Sequence, residues 1–313
     1  MKRLTQLAFG FMFAIVAAVS VAAIHQRLVP NLAVVQAAIS STQYQEPPYQ
    51  GPPDQGPDPA AVNQAPAPPS GQSYTTQAPP PDQNPEDYNY AAQPSGTAPQ
   101  PPPPLPDYTQ PPPPADGYIW TPGYWAWGPQ GYFWVPGAWT EPPYAGALWT
   151  PGYWGFYSGR YLFYPGHWGL HIGFYGGINY GFGYLGFGYE GGYWNSGRFF
   201  YNRAYNNVDL RMVHNVYNYH ANVRVNNVIR QSYRGGPNGV QVHPRPSEGV
   251  AWREPYAPRM STQVQHERDF GAMHQQYANQ NHGRPPSAAI SRPLAADRNV
   301  KPQAHAGHSQ ERK

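Results

Sequence analysis

The side chains able to do chemistry are few and poorly placed for it. There is no Cys in the 313 residues, which excludes disulfides, Cys-ligated zinc, iron–sulfur clusters and thiol nucleophiles. Eleven His are present. The closest spacing, His167-x-x-x-His171, lacks the Glu of a zinc-protease helix and falls among glycines and aromatics, where a helix bringing i and i+4 together is not expected. His266, His274, His282, His305 and His308 are scattered near the C-terminus. From Gly117 to Tyr201 the acids are Glu141 and Glu190, which as a glycosidase pair would need a separation that sequence does not fix. Gly181-x-Gly183-x-x-Gly186 matches the dinucleotide fingerprint formally, but a chain this rich in Gly yields such matches by chance, and neither the strand nor the helix of that fingerprint flanks it. No catalytic residue, metal site or cofactor is predicted.

What the sequence does carry is Trp, at regular spacing. Tyr118-Ile-Trp120-Thr-Pro122-Gly123-Tyr-Trp125 recurs as Tyr132-Phe-Trp134-Val-Pro136-Gly137-Ala-Trp139, then as Leu148-Trp149-Thr-Pro151-Gly152-Tyr-Trp154, and finally as Tyr161-Leu-Phe163-Tyr-Pro165-Gly166-His-Trp168. Positions 120, 134, 149 and 163 thus stand 14 or 15 residues apart. So short a period admits one extended segment or tight hairpin per unit, and alternating aromatics favour strands.

Two geometries suit the Pro-Gly pair. It is either the centre of a type II turn, with Gly at positive φ, or a bulge within a longer strand. In the second case the chain reverses between repeats, at Gly128-Pro129-Gln130-Gly131 and Tyr157-Ser158-Gly159-Arg160. The bulge is favoured, because type II turns splay the strands of a two-residue hairpin. Both geometries gather Trp120, Trp125, Trp134, Trp139, Trp149, Trp154 and Trp168 into one aromatic face. That face is either the core or a platform for flat ligands such as sugar rings. Core is the expectation, since a bare patch of this size exceeds what soluble monomers expose; otherwise these seven Trp are the candidate binding residues.

In these units the chain resembles the WXXGXW (YXWGXW) repeat proteins, a family of exported bacterial proteins. The resemblance extends over about residues 118–294, with Phe163 and Leu148 departing from the pattern. It implies an envelope or extracellular setting and supplies no catalytic residue.

The rest of the chain must hold this region in place. Lys2 and Arg3 precede an apolar run over 7–24, and a second apolar stretch ends near 39, so 1–39 reads as a signal peptide or membrane anchor. Residues 43–116 contain 24 Pro and eight acids with no Lys or Arg, and read as a disordered linker in polyproline II conformation. From Arg160 onward 15 Arg and 2 Lys face 8 acids, which makes the C-terminal half basic and attractive to polyanions. Residues 117–245 are the expected β domain. Within it 169–197 alternates Gly with aromatics as a layer over the sheet, and Val208, Leu210, Val223 and Val225 alternate as edge strands. Residues 246–313 read as an extended basic tail with one helix near 262–278, capped by Thr262 and Gln265 and apolar along Val264, Phe270, Met273 and Tyr277. The predicted fold is therefore mainly β: a small antiparallel meander of aromatic repeats, a Gly-rich extension, one short C-terminal helix, a long disordered N-terminal tether and a disordered tail. The expected function is that of a non-catalytic exported envelope protein, its repeats a structural or interaction module. The alternative is a binder of surface polysaccharide or another polyanion. The partners are cell-wall polysaccharide or another envelope protein, with no nucleic acid, because export argues against it.

Overall fold

The computed structural model describes residues 56–66, 94–222 and 230–303, all within one compact unit spanning 54–313. The segment expected to be a signal or anchor lies outside the described residues, as do Val223 and Val225 and most of 43–93. Among the described residues no helix is long and apolar enough to cross a membrane.

Each aromatic repeat is one strand interrupted at its Pro-Gly pair. The first runs through β2 (Ile119–Thr121) and β3 (Tyr124–Gly128), and the second through β4 (Gly131–Val135) and β5 (Ala138–Thr140). The third comprises β6 (Leu148–Thr150) and β7 (Tyr153–Tyr157), the fourth β8 (Arg160–Tyr164) and β9 (His167–Gly169). Repeats one and two fold on each other at Pro129-Gln130, so that β3 pairs β4 and, beyond the interruption, β2 pairs β5. Repeats three and four do the same at Ser158-Gly159, pairing β7 with β8 and β6 with β9. The reversals thus fall between repeats, and the Pro-Gly pairs are interruptions within strands. Ser158 and Gly159 both take positive φ, 46° and 77°, as a tight hairpin turn requires. None of Gly123, Gly137, Gly152 and Gly166 does, which excludes the type II turn.

The result is a set of small sheets instead of a single meander. β1 (Gly96–Ala98) and β15 (Tyr233–Arg234) flank the β7–β8 hairpin to complete a four-stranded sheet, and β16 (Ala257–Pro258) adds to β9 and β6. The Gly-rich stretch forms its own short hairpins, β10 (Asn179–Gly181) with β11 (Tyr184–Leu185) and β12 (Gly192–Asn195) with β13 (Arg198–Asn202). β14 (Val216–Tyr217) runs parallel to β13. Val208 and Leu210 form no strand: the chain turns there through Asp209, and Leu210 stands 51% exposed.

Two segments expected to be free of the domain are built into it. Residues 94–116 lie along the repeats instead of leading away from them: Trp125 and Trp139 donate their indole N–H groups to the carbonyls of Pro104 (3.2 Å) and Pro111 (2.7 Å), and Tyr132 donates to Gln100 (2.8 Å). Polyproline II leaves its carbonyls without internal partners, so a Pro-rich run offers a row of acceptors to buried indoles. Further upstream a 3-10 turn, Pro59–Asn63, is fixed by Asn63, whose amide donates to the carbonyls of Tyr189 and Gly192 at 2.7 Å each.

The C-terminal part, read as an extended tail, also packs against the first hairpin and the chain following it, through Ala288, Ile290, Leu294 and Arg298, and Gln303 pairs with Tyr256. Its helices are α1 (Pro246–Ala251), α2 (Ser261–Gly271) and α3 (Ala278–Asn281). α2 covers the first part of the expected helix but ends at Gly271 instead of near 278, and the interactions at its start and on its face differ. Thr262 donates to the carbonyl of Ala295 instead of capping, and Met260 N–H donates to Gln263 Oε1. The buried residues of α2 are Gln263 and His266, while Met273 beyond it is 39% exposed. Gln263 Oε1 accepts the indole N–H of Trp168 (2.9 Å), so this helix docks by satisfying polar groups of an aromatic core.

Candidate functional site

The seven Trp named from the sequence are brought together, and they are the core. Their exposures run from 0% for Trp120, Trp139 and Trp168 to 5% for Trp149. Cross-strand register explains the gathering: Trp120 faces Trp139, Trp125 faces Trp134, Trp149 faces Trp168 and Trp154 faces Phe163, with ring centroids 5.1 to 5.3 Å apart. Such edge-to-face and tilted pairs are worth about 0.5–1.5 kcal/mol each beyond area burial. None of these seven keeps a face free for a flat ligand, so the reading of these residues as a binding platform is corrected: the domain has too few aliphatics to close a core without them.

Tyr hydroxyls join the two hairpins. Tyr184, from the Gly-rich layer, reaches the carbonyls of both Trp120 (3.1 Å) and Trp149 (2.9 Å), which are equivalent positions of repeats one and three. Tyr180 donates to Gly152 O at 2.6 Å, and Trp154 donates to Trp125 O at 2.7 Å. Burial drives the Tyr175, Tyr184 and Tyr189 phenols well above their ordinary value, so all three stay protonated: Tyr175 and Tyr184 donate to carbonyls, while the buried Tyr189 hydroxyl has no hydrogen-bond partner.

The residues searched for chemistry are dispersed. Glu141 is tied to Arg298 and accepts from Ala296 N–H. Glu190 is 2% exposed, beside Asp58, and burial with that neighbour raises it to about 8. His167 is buried with its ring on Tyr256, while His171 pairs with Glu254 at 2.8 Å. Among the described residues no three His, Asp or Glu side chains gather as metal ligands.

One feature was missed by sequence reasoning. A groove of about 1080 Å³ opens over β10 and β11, between the Gly-rich layer and the segment 238–248. Phe182 and Phe187 contribute aromatic surface, and Arg245, His243 and Glu248 are charged or titratable groups of its wall. The Arg245 guanidinium lies 3.3 Å over the centroid of the Phe187 ring. Glu248 is the N3 residue of α1: its Oε2 accepts from Arg245 N–H at 2.7 Å, and burial pushes its carboxyl up to about 7. Pro246 followed by Glu248 is a helix-start signal that would have placed this carboxyl. Nothing in the sequence places Phe187, some sixty residues earlier, beneath Arg245.

The fold defines an aromatic β-repeat domain in which paired repeats lock into interrupted hairpins around buried indoles. Residues 116–140, the first hairpin, match the model of the WXXGXW repeat in two copies. The second hairpin lies outside that match yet carries the same pairing. No curated protein and no solved structure matches the chain.

Proposed function

We propose that this chain is a non-catalytic, exported protein of the cell envelope whose repeat domain serves as an interaction module. The supporting observation is where its reactive and aromatic groups are used. The seven repeat indoles are closed into the core, Glu141 is held by Arg298 and Glu190 is buried, which supports a scaffold role for the repeat region. Export is argued from Lys2, Arg3 and the apolar run that follows.

Fractionation of the native host tests this reading. The mature chain is expected with membranes, wall or periplasm, and recovery in the cytosol would overturn it. A second reading, binding of polysaccharide or another polyanion, no longer has the Trp face to rest on. The groove over β10 and β11 is the observation that still favours it.

A further inference from the structure

We propose that the groove over β10 and β11 binds a glycan whose sugar rings carry carboxylates, a uronic-acid chain, with Arg245 meeting a carboxylate and Glu248 a ring hydroxyl. This deepens the reading of the chain as an interaction module and rests on it.

Four features of the groove converge on that ligand. Its volume, about 1080 Å³, lies at the upper end of small-ligand sites and suits a short run of rings better than a single one. Phe182 is half-buried, leaving aromatic surface on which the C–H face of a sugar ring can lie, while Phe187 carries the Arg245 guanidinium. Charge is one-sided: among the described residues Arg230, His243 and Arg245 line the groove with no acid besides Glu248. Arg230 is already tied to Asp107 and to the Leu105 carbonyl, whereas Arg245 is exposed and stacked on Phe187, which holds its planar fork ready for a carboxylate.

The fourth feature is an unsatisfied atom. Glu248 is 3% exposed, and its Oε1 is buried without a hydrogen-bond partner. A buried polar atom left unpaired costs about 1–3 kcal/mol, a cost that a ligand hydroxyl at this oxygen would remove. With its carboxyl raised to about 7, Glu248 carries a proton over the acidic side of neutrality and does not repel an anionic ligand there. Asn238 and Gln241 add amide groups, each donor and acceptor, as a hydroxyl-dense ligand needs.

Calorimetric titration of the full chain with three probes tests the assignment: an oligogalacturonate (rings with carboxylates), a cello-oligosaccharide (rings alone) and polyphosphate (charge alone). The oligogalacturonate is expected to bind at least about tenfold more tightly than either other probe, a difference of about 1.4 kcal/mol. Arg245→Ala, at an exposed position, should lose about tenfold or more with an unchanged circular dichroism spectrum. Wild-type affinity should fall as pH rises through 7, and Glu248→Gln should show a shallower fall over the same range, with His243 the other titratable group of the groove wall. Equal binding of polyphosphate or cello-oligosaccharide, an Arg245→Ala variant of full affinity, or no binding of the uronate would each overturn the site. Absence of binding leaves the envelope reading to fractionation, whereas cleavage of the oligomer during titration would overturn the non-catalytic reading and leave the site standing.

Discussion

Trp120 and Gly137 fit together as knob and hole: a Cβ built on Gly137 would sit 2.6 Å from Cζ2 of the Trp120 ring. The relation is reciprocal across the hairpin, because Gly123 receives Trp134 at 2.4 Å, and it recurs in the second hairpin, where Gly166 receives Trp149 at 2.4 Å. Repeats one, two and three therefore each lend their first indole to the glycine of the partner repeat, and in the fourth Phe163 takes that place against Gly152. The Trp-x-Pro-Gly-x-Trp motif reads as the two halves of that lock, and the glycine is needed for space, since its φ is one any residue adopts.

Gly137→Ala should consequently destabilise the domain by about 1–3 kcal/mol through overpacking, and Gly123→Ala by a similar amount. Gly249→Ala is the counterpart of opposite sign. It sits within α1, where an added Cβ meets Trp252 at an ordinary 3.9 Å, and Ala there should stabilise by about 0.5–1 kcal/mol. Urea denaturation of the three variants checks both signs. Wild-type stability in Gly137→Ala would contradict the lock.

Phe163 stands where the other repeats have Trp, and Tyr124 accounts for it. The Tyr124 ring stacks on Phe163 at 5.4 Å and 9°, and Tyr124 in turn donates to Glu267 Oε2 at 2.6 Å, tying the first hairpin and α2 to the second hairpin. Phe163→Trp would press on this stack and on Gly152, whose added Cβ already meets Phe163 Cζ at 3.0 Å. Restoring the motif residue should therefore lower the melting midpoint, by about 2–4 °C for each kcal/mol of overpacking. An unchanged or raised midpoint would show that the fourth repeat has room for an indole.

How far the sequence foretold this depends on the range of the interaction. Repeat pairing was legible because Gly128-Pro129-Gln130-Gly131 and Tyr157-Ser158-Gly159-Arg160 are local turn signals and the alternation of aromatics is local too. The fate of residues 94–116 was not, because composition judges a segment by its own capacity to bury apolar surface. Pro104 and Pro111 are held by Trp125 and Trp139, more than twenty residues away, which need acceptors. The groove was hidden for the same reason: Phe187 and Arg245 meet only through tertiary folding.

Tyr184→Phe should cost about 1–3 kcal/mol, because the carbonyls of Trp120 and Trp149 are both left without their shared donor in a closed interior. Tyr193→Phe, at a half-buried ring on β12, should stay within about 0.5 kcal/mol of the parent. Equal melting midpoints for the two would mean that the hydroxyl linking the hairpins adds nothing to their association.

Stability should also depend on pH, with a sign fixed by buried acids. Glu190 and Glu248 have carboxyls raised from 4.5 to about 8 and about 7, in both cases chiefly by burial. Between 4.5 and these values the folded chain holds protons that the unfolded chain has released, so stability is fully present below 4.5 and declines as pH rises toward 8. His266 works in the opposite sense: burial lowers its pKa from 6.5, and protonation of the unfolded chain below 6.5 removes stability as pH falls. From 6.5 upward only the carboxylate contribution of these three remains, and the melting midpoint should drop by several degrees by the time pH passes 8. Glu190→Gln should flatten that decline, since its neutral amide has no proton to release beside Asp58. A wild-type midpoint constant over this range, or a Glu190→Gln variant that declines as steeply, would show that Glu190 ionises in the fold as readily as in water.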